Sequence, residues 1–322
     1  MIYHVSCKIK LLEDAAIEAR GLGRRYGNVW GLRNATFSVE KGELVVLVGP
    51  NGAGKTTTIR ILTTNLRPSR ERARVLGFDI VREYREVRRR IAYMPQEFIV
   101  GWDHTPFEVV AWGLVARGWP IGDAKAQARR WLELVGLWEE RNRPLRTLSG
   151  GQRRRATVAA VLATEADVIF LDEPTVGLDV EVRHVVWRAI RETVAGGASI
   201  LLTTHDMGEA ETIGDRVVLI NEGVTVAEGK PYDLVKELPY EYRIVVGKFE
   251  GLEEYGEYID LGDRAVIYAR SYGEAVRLVE ELASHAPIYM IGRVGLEDAY
   301  LRLVRGHVEA GAGDSVPRVQ VG

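Results

Sequence analysis

The stretch LVVLVGPNGAGKTT, residues 44–57, decides how the rest of the chain is read. Leu44 to Val48 form an unbroken apolar run, the pattern of a strand buried on both faces. Gly49 then opens a match to G-x-x-x-x-G-K-[ST] that closes at Thr56, and TTTIRILTTNL follows with helical character. Strand, glycine-rich turn and helix in that order are the context this phosphate-binding motif requires. The turn Gly49-Pro50-Asn51-Gly52-Ala53-Gly54 can curl backbone N–H groups around the β- and γ-phosphates, and the helix adds the positive end of its dipole. Lys55 is a point charge for phosphate oxygens, and Thr56 offers a hydroxyl to Mg²⁺.

Downstream, VIFLDEP at 168–174 is a second apolar run, ending in two acids. Successive side chains of a strand point to opposite faces, so Asp172 and Glu173 are expected to have different tasks. Asp172 would hold Mg²⁺ through water, and Glu173 would polarise the attacking water. SILLTT at 199–204 and RVVLI at 216–220 continue the strand series, with helical patterns such as VEVRHVVWRAIRETVAGG between them. That alternation predicts a parallel sheet with helices on both faces. AIEARGL and NATFSVEKG alternate apolar and polar residues, as half-buried strands do.

Between residues 97 and 147 the strand signal disappears, and FEVVAWGLVARGW and KAQARRWLELVGLW predict an inserted helical subdomain. A small α+β domain is expected over 237–306, its helix placing Ala275, Leu278, Val279 and Leu282 on one face. Residues 1–16 are read as an N-terminal extension, 17–236 as the main domain and 307–322 as a disordered polar tail.

With 322 residues, the chain exceeds what one core usually serves. Lys+Arg at 43 against Asp+Glu at 45 leave a net charge of -2, which argues against a nucleic-acid partner. The single cysteine, Cys7, excludes a disulfide framework, and no apolar run is long enough to span a bilayer. A soluble intracellular protein is expected.

The ordered set GPNGAGKTT, LSGGQ, VIFLDEP, VGLD and TTHD resembles the ATP-binding subunits of ABC transporters, over roughly residues 17–236. The resemblance implies an α/β P-loop NTPase core with an antiparallel β subdomain, an inserted helical subdomain and a C-terminal α+β appendage. It implies ATP and Mg²⁺ as cofactors, with two copies stacked head to tail. The Ser149-Gly150-Gly151-Gln152 segment of one copy would then close on ATP held by Gly49 to Thr57 of the other. By the same resemblance Tyr26 stacks on adenine, with Trp30 as a rival ring. Gln96 senses the γ-phosphate and Mg²⁺, Gly177-Leu178-Asp179 cross the dimer interface, and His205 contacts the γ-phosphate. One departure is Arg70-Glu71 after LRPS, where the family usually has a glycine turn.

The implied partners are a second ATP-binding subunit, in a homodimer, and separate integral-membrane permease subunits. The implied place is the cytoplasmic face of the membrane. EPTVGLD and GLEDAYLRLVRG are similar to the daunorubicin-resistance, drug-export branch. An importer subunit and a soluble ABC ATPase, for example in iron–sulfur assembly, are the alternatives.

Overall fold

The computed structural model describes residues 15–97 and 101–311. Most of the N-terminal extension and the tail beyond residue 311 lie outside them. The chain separates into two compact units between Glu228 and Gly229.

The first unit is built on one mixed ten-stranded sheet. The chain enters through β1 (Ile17–Tyr26) and β2 (Val29–Val39), then β3 (Leu44–Val48), whose five residues are all buried. After α1 (Lys55–Leu62) come β4 (Arg70–Val75), β5 (Phe78–Asp79), α2 (Tyr84–Arg90) and β6 (Ile91–Met94). The helical insert holds α3 (Pro106–Ala116) and α4 (Ile121–Leu134). The core resumes with α5 (Gly150–Leu162), β7 (Val168–Asp172), α6 (Val180–Ala195), β8 (Ser199–Thr204), α7 (Met207–Ile213), β9 (Arg216–Asn221) and β10 (Val224–Gly229).

Strand order is β5-β4-β1-β2-β10-β9-β3-β8-β7-β6. Strands β3, β6, β7, β8 and β9 pair in parallel, as expected of continuous apolar runs joined by helices. The other end, β1 with β2 and β4, and β4 with β5, is antiparallel. Register matters for function here. Val48 pairs with Thr204, and Asp172 pairs with Thr203, so the carboxyl ends of β3, β7 and β8 lie side by side. In open α/β sheets, ligands bind outside those ends.

Arg70-Glu71, the departure from the family's glycine turn, lie in a strand. Arg70 opens β4 opposite Gly23 of β1, because RERARV alternates as a strand of the antiparallel region. Within the insert, α3 starts in a capping box made by Thr105 and Glu108, with Pro106 in the first turn. Helix α4 buries Ala124, Ala128, Trp131 and Leu132 on one face. Among the described residues no helix is long and apolar enough to cross a membrane.

The second unit contains α8 (Pro231–Lys236), β11 (Tyr242–Gly247), β12 (Tyr258–Asp260), β13 (Arg264–Ala269), α9 (Tyr272–Leu282), β14 (Ile288–Arg293) and α10 (Leu296–Gly311). Its strands form a separate sheet in the order β12-β13-β11-β14. Ala275 and Leu282 of α9 pack on Ile244, Val246, Ala265, Ile267 and Ala269, with Leu278 and Val279 partly buried beside them. Helix α10 runs to Gly311, so the tail read from His307 begins inside that helix. Buried Asp298 accepts hydrogen bonds from Tyr268 (2.8 Å) and Gly295 N (2.9 Å) and pairs with Arg243, which anchors the start of α10 to the sheet.

Candidate functional site

The cradle follows directly from β3. A Cβ on Gly49 would lie 2.1 Å from the Ile220 carbonyl oxygen, so only glycine lets the loop leave the sheet at this point. Gly52 and Gly54 have φ of 80° and 101°, the left-handed region that glycine enters freely. Gly54 caps α1, and its carbonyl accepts from the Thr58 hydroxyl at 2.9 Å. Lys55 is only 5% exposed. Its Nζ donates to the carbonyls of Gly49 (2.8 Å) and Pro50 (3.0 Å) and lies 3.7 Å from Glu173 Oε1. Burial pulls its pKa down, against the upward pull of Glu173 and Asp172.

Asp172 is fully buried at the end of β7. Its Oδ1 accepts from Thr203 Oγ1 (2.6 Å) and Thr56 Oγ1 (3.3 Å), while Oδ2 has no hydrogen-bond partner among the described residues. Burial raises its pKa, with the two threonine hydrogen bonds opposing. A carboxyl whose folded pKa is raised contributes stability fully below its unfolded value and loses it as pH rises through the folded one. Above its unfolded pKa, and so at neutral pH, the buried Asp172 carboxyl therefore costs the empty protein stability. Asp172→Asn is expected to raise the melting temperature of the nucleotide-free protein by a few degrees while abolishing nucleotide hydrolysis. Calorimetry at pH 7 beside a phosphate-release assay checks both halves, and a lowered melting temperature contradicts the first.

Strand β7 ends at Asp172, so strand alternation does not extend to Glu173. Glu173 has φ of 51°, a left-handed conformation that costs a non-glycine residue about 1–2 kcal/mol. Its amide donates to Thr203 Oγ1 and Thr203 O, both at 3.1 Å. The side chain thereby turns back into the site, 6% exposed, where Oε2 accepts from Gln96 Nε2 at 3.2 Å and Oε1 lies 3.4 Å from His205 Nδ1. Asp172 and Glu173 do have different neighbours, but the left-handed turn is what separates them. Lys55, Thr56, Gln96, Asp172, Glu173 and His205 form one cluster.

Ser149, Gly150, Gly151 and Gln152 share no hydrogen bond with that cluster. Ser149 caps α5 in a capping box. Its Oγ accepts from Gln152 N at 3.2 Å, and Gln152 Oε1 accepts from Ser149 N at 2.9 Å. Ser149 and Gly150 are exposed. Leu178 packs against Gly151, and Asp179 caps α6 by accepting from Val182 N at 2.9 Å. Tyr26 is 43% exposed, and its ring covers Gly31 next to the Thr57 hydroxyl. Trp30 is flanked instead by Arg25 and Arg70.

Two residues at the site had no role in the sequence reading. Thr203 joins Asp172 to the Glu173 amide, and its only sequence signal is its place before His205 in TTHD. Arg154 reaches the backbone of the Glu173 turn from α5.

The ABC transporter family model matches residues 32–176. A Nod factor export ATP-binding protein I of Ralstonia nicotianae is 34% identical over 304 residues, covering 89% of this chain and 93% of that one. The daunorubicin/doxorubicin resistance ATP-binding protein of Streptomyces peucetius is 39% identical over 223 residues, 69% of this chain and 68% of that one. Among solved structures, an ATP-binding subunit of an ABC transporter superposes with TM-score 0.64 at 27% identity, over 69% of this chain and 92% of the other.

Proposed function

The chain belongs to the ABC transporter family as an ATP-hydrolysing, ATP-binding subunit, and we propose that two copies of it close around two ATP molecules to drive export through a separate membrane permease. The observation that carries the reading is the convergence of Lys55, Thr56, Gln96, Asp172, Glu173 and His205 on the mouth of one glycine-rich loop.

ATP would lie with its phosphates along Gly49 to Thr57 and its adenine against Tyr26. Phosphate oxygens would take the Lys55 hydrogen bonds that Gly49 O and Pro50 O now accept. Glu173, aimed into the site, would accept a proton from the attacking water. His205 and Gln96, on either side of that carboxylate, would orient the water and the γ-phosphate. The unpartnered Oδ2 of Asp172 and the adjacent Thr56 hydroxyl fit a divalent cation. Mg²⁺ bound there would offset charge on the β- and γ-phosphates. Ser149 and the N–H groups of Gly150 and Gly151, exposed on one copy, would reach the γ-phosphate of the other.

Export is supported by the printed roles of the relatives, Nod factor export and daunorubicin/doxorubicin resistance. The subunit would sit on the cytoplasmic face of the membrane, docked through its helical insert. A groove of about 390 Å³ there is lined by Tyr93, His104, Glu108, Trp112, Arg117 and Thr164, with Trp112 50% exposed. A tagged chain is expected to co-purify from cell membranes with a multi-spanning protein. Trp112→Asp should release it into the soluble fraction with its own ATPase rate intact. Recovery of the unaltered chain only in the soluble fraction contradicts the transport reading.

A further inference from the structure

We propose that Arg154 is a positioning residue for hydrolysis, tying the helix that begins at LSGGQ to the turn that carries Glu173. This rests on the reading of Glu173 as the group that accepts the proton from water.

Arg153, Arg154 and Arg155 follow LSGGQ directly, and as a run they look like a solvated helix face. Their environments differ. Arg153 donates to Leu148 O and lies over the Trp102 ring, and Arg155 donates to Val135 O and Gly136 O beyond the end of α4. Only Arg154 turns toward the site. Its Nε donates to Pro174 O at 3.2 Å, Nη2 to Asp172 O at 3.1 Å and to Glu173 O, and Nη1 to Gln96 O at 2.5 Å. All four acceptors are main-chain carbonyls, drawn from two different loops. Among the described residues no carboxylate oxygen accepts from this guanidinium, and its partners are main-chain carbonyls.

The placement has a mechanical consequence. Glu173 is aimed by its left-handed backbone, and Arg154 holds the carbonyls of Glu173 and of both its neighbours. The same group holds the carbonyl of Gln96, whose side chain meets Glu173 Oε2. Two of the side chains around the attacking water therefore hang from peptide groups fixed by one planar fork. That fork is rooted five residues after Ser149, in the helix whose start faces the second copy. A shift of α5 on closure against the partner would be transmitted to the Glu173 turn of its own chain. The LSGGQ helix then has two tasks, closing one ATP site and aligning the water at the other.

Arg154→Lys tests this, because it keeps the charge and loses the fork. In the full-length chain kcat is expected to fall about 10- to 100-fold, since small misplacements of a catalytic group cost that much. KM and the equilibrium affinity for ATP should stay within about threefold, the split expected when the loss is confined to the transition state. Arg155→Lys, which touches only the α4 end, should lower the melting temperature without changing kcat. Added to Glu173→Gln, the Arg154→Lys change should cause no further loss in single-turnover rate, because residues acting as one unit are not additive.

If Arg154→Lys does not fold, Arg154→Gln, which can still donate to carbonyls, serves the same kinetic comparison. Wild-type kcat in Arg154→Lys overturns the proposal. So does an effect confined to KM, or an undiminished loss in the Glu173→Gln background. Normal turnover in Glu173→Gln with slow Arg154→Lys would remove the reading of Glu173, and this inference with it. Slow Glu173→Gln with normal Arg154→Lys would remove this inference alone.

Discussion

Glu173→Gln is expected to cut turnover by about a hundredfold or more, the usual contribution of a positioned general base. ATP affinity should change little, within about threefold, because the amide keeps the shape of the carboxylate and removes only its basicity. Its neighbours make the substitution informative. An amide at this position can still meet Gln96 at 3.2 Å, and it removes the carboxylate that lies 3.7 Å from Lys55, which leaves Lys55 free for phosphate. Single-turnover phosphate release beside equilibrium titration with ATP separates the two effects. Full turnover in this variant removes Glu173 as the base.

Ser149→Arg is the second large expected effect. Ser149 caps α5 and is exposed, and it shares no hydrogen bond with the Lys55 cluster of its own chain. Loss of the cap costs about 1 kcal/mol, too little to unfold a domain with this core. The long cation would instead occupy the space where the other copy must present its γ-phosphate. Hydrolysis should fall by at least about a hundredfold, as when a transition-state donor is removed, while the single chain binds ATP as before. Unimpaired hydrolysis shows that Ser149 has no part in the reaction. Weakened ATP binding by the single chain points to a site completed within one chain.

Much of this was legible in the sequence, for identifiable reasons. The parallel strands β3, β7, β8 and β9 declare themselves because strands buried on both faces are continuous apolar runs, and β7 ends in the buried carboxylate Asp172. The cradle was legible because glycine, lysine and threonine at fixed spacing have few other uses together. Short or heavily charged strands were not. In β4, RERARV, Arg70, Arg72 and Arg74 cover an exposed face, and the density of charge masks the alternation that buries Ala73 and Val75. Strand β12 is three residues long, below the length at which a period can be read.

At the site, the left-handed Glu173 escaped because its conformation is fixed by Thr203 and by the carbonyl clamp of Arg154, contacts 30 and 19 residues away in sequence. A basic run gives no sign of which member turns inward. Asp172 and Glu173 were expected to differ through strand alternation, but alternation ends with the strand at Asp172, and the left-handed turn at Glu173 is what gives the two side chains different neighbours.

Head-to-tail pairing is tested most directly by the mass of Glu173→Gln in solution with saturating ATP. Sedimentation is expected to find a particle of about twice the 35.9 kDa chain with ATP. Without nucleotide, the same variant should sediment as a single chain, and adding Ser149→Arg should keep it single even with ATP. A particle of single-chain mass that holds ATP, formed by a protein that otherwise hydrolyses it, would contradict closure of one copy on the nucleotide of another.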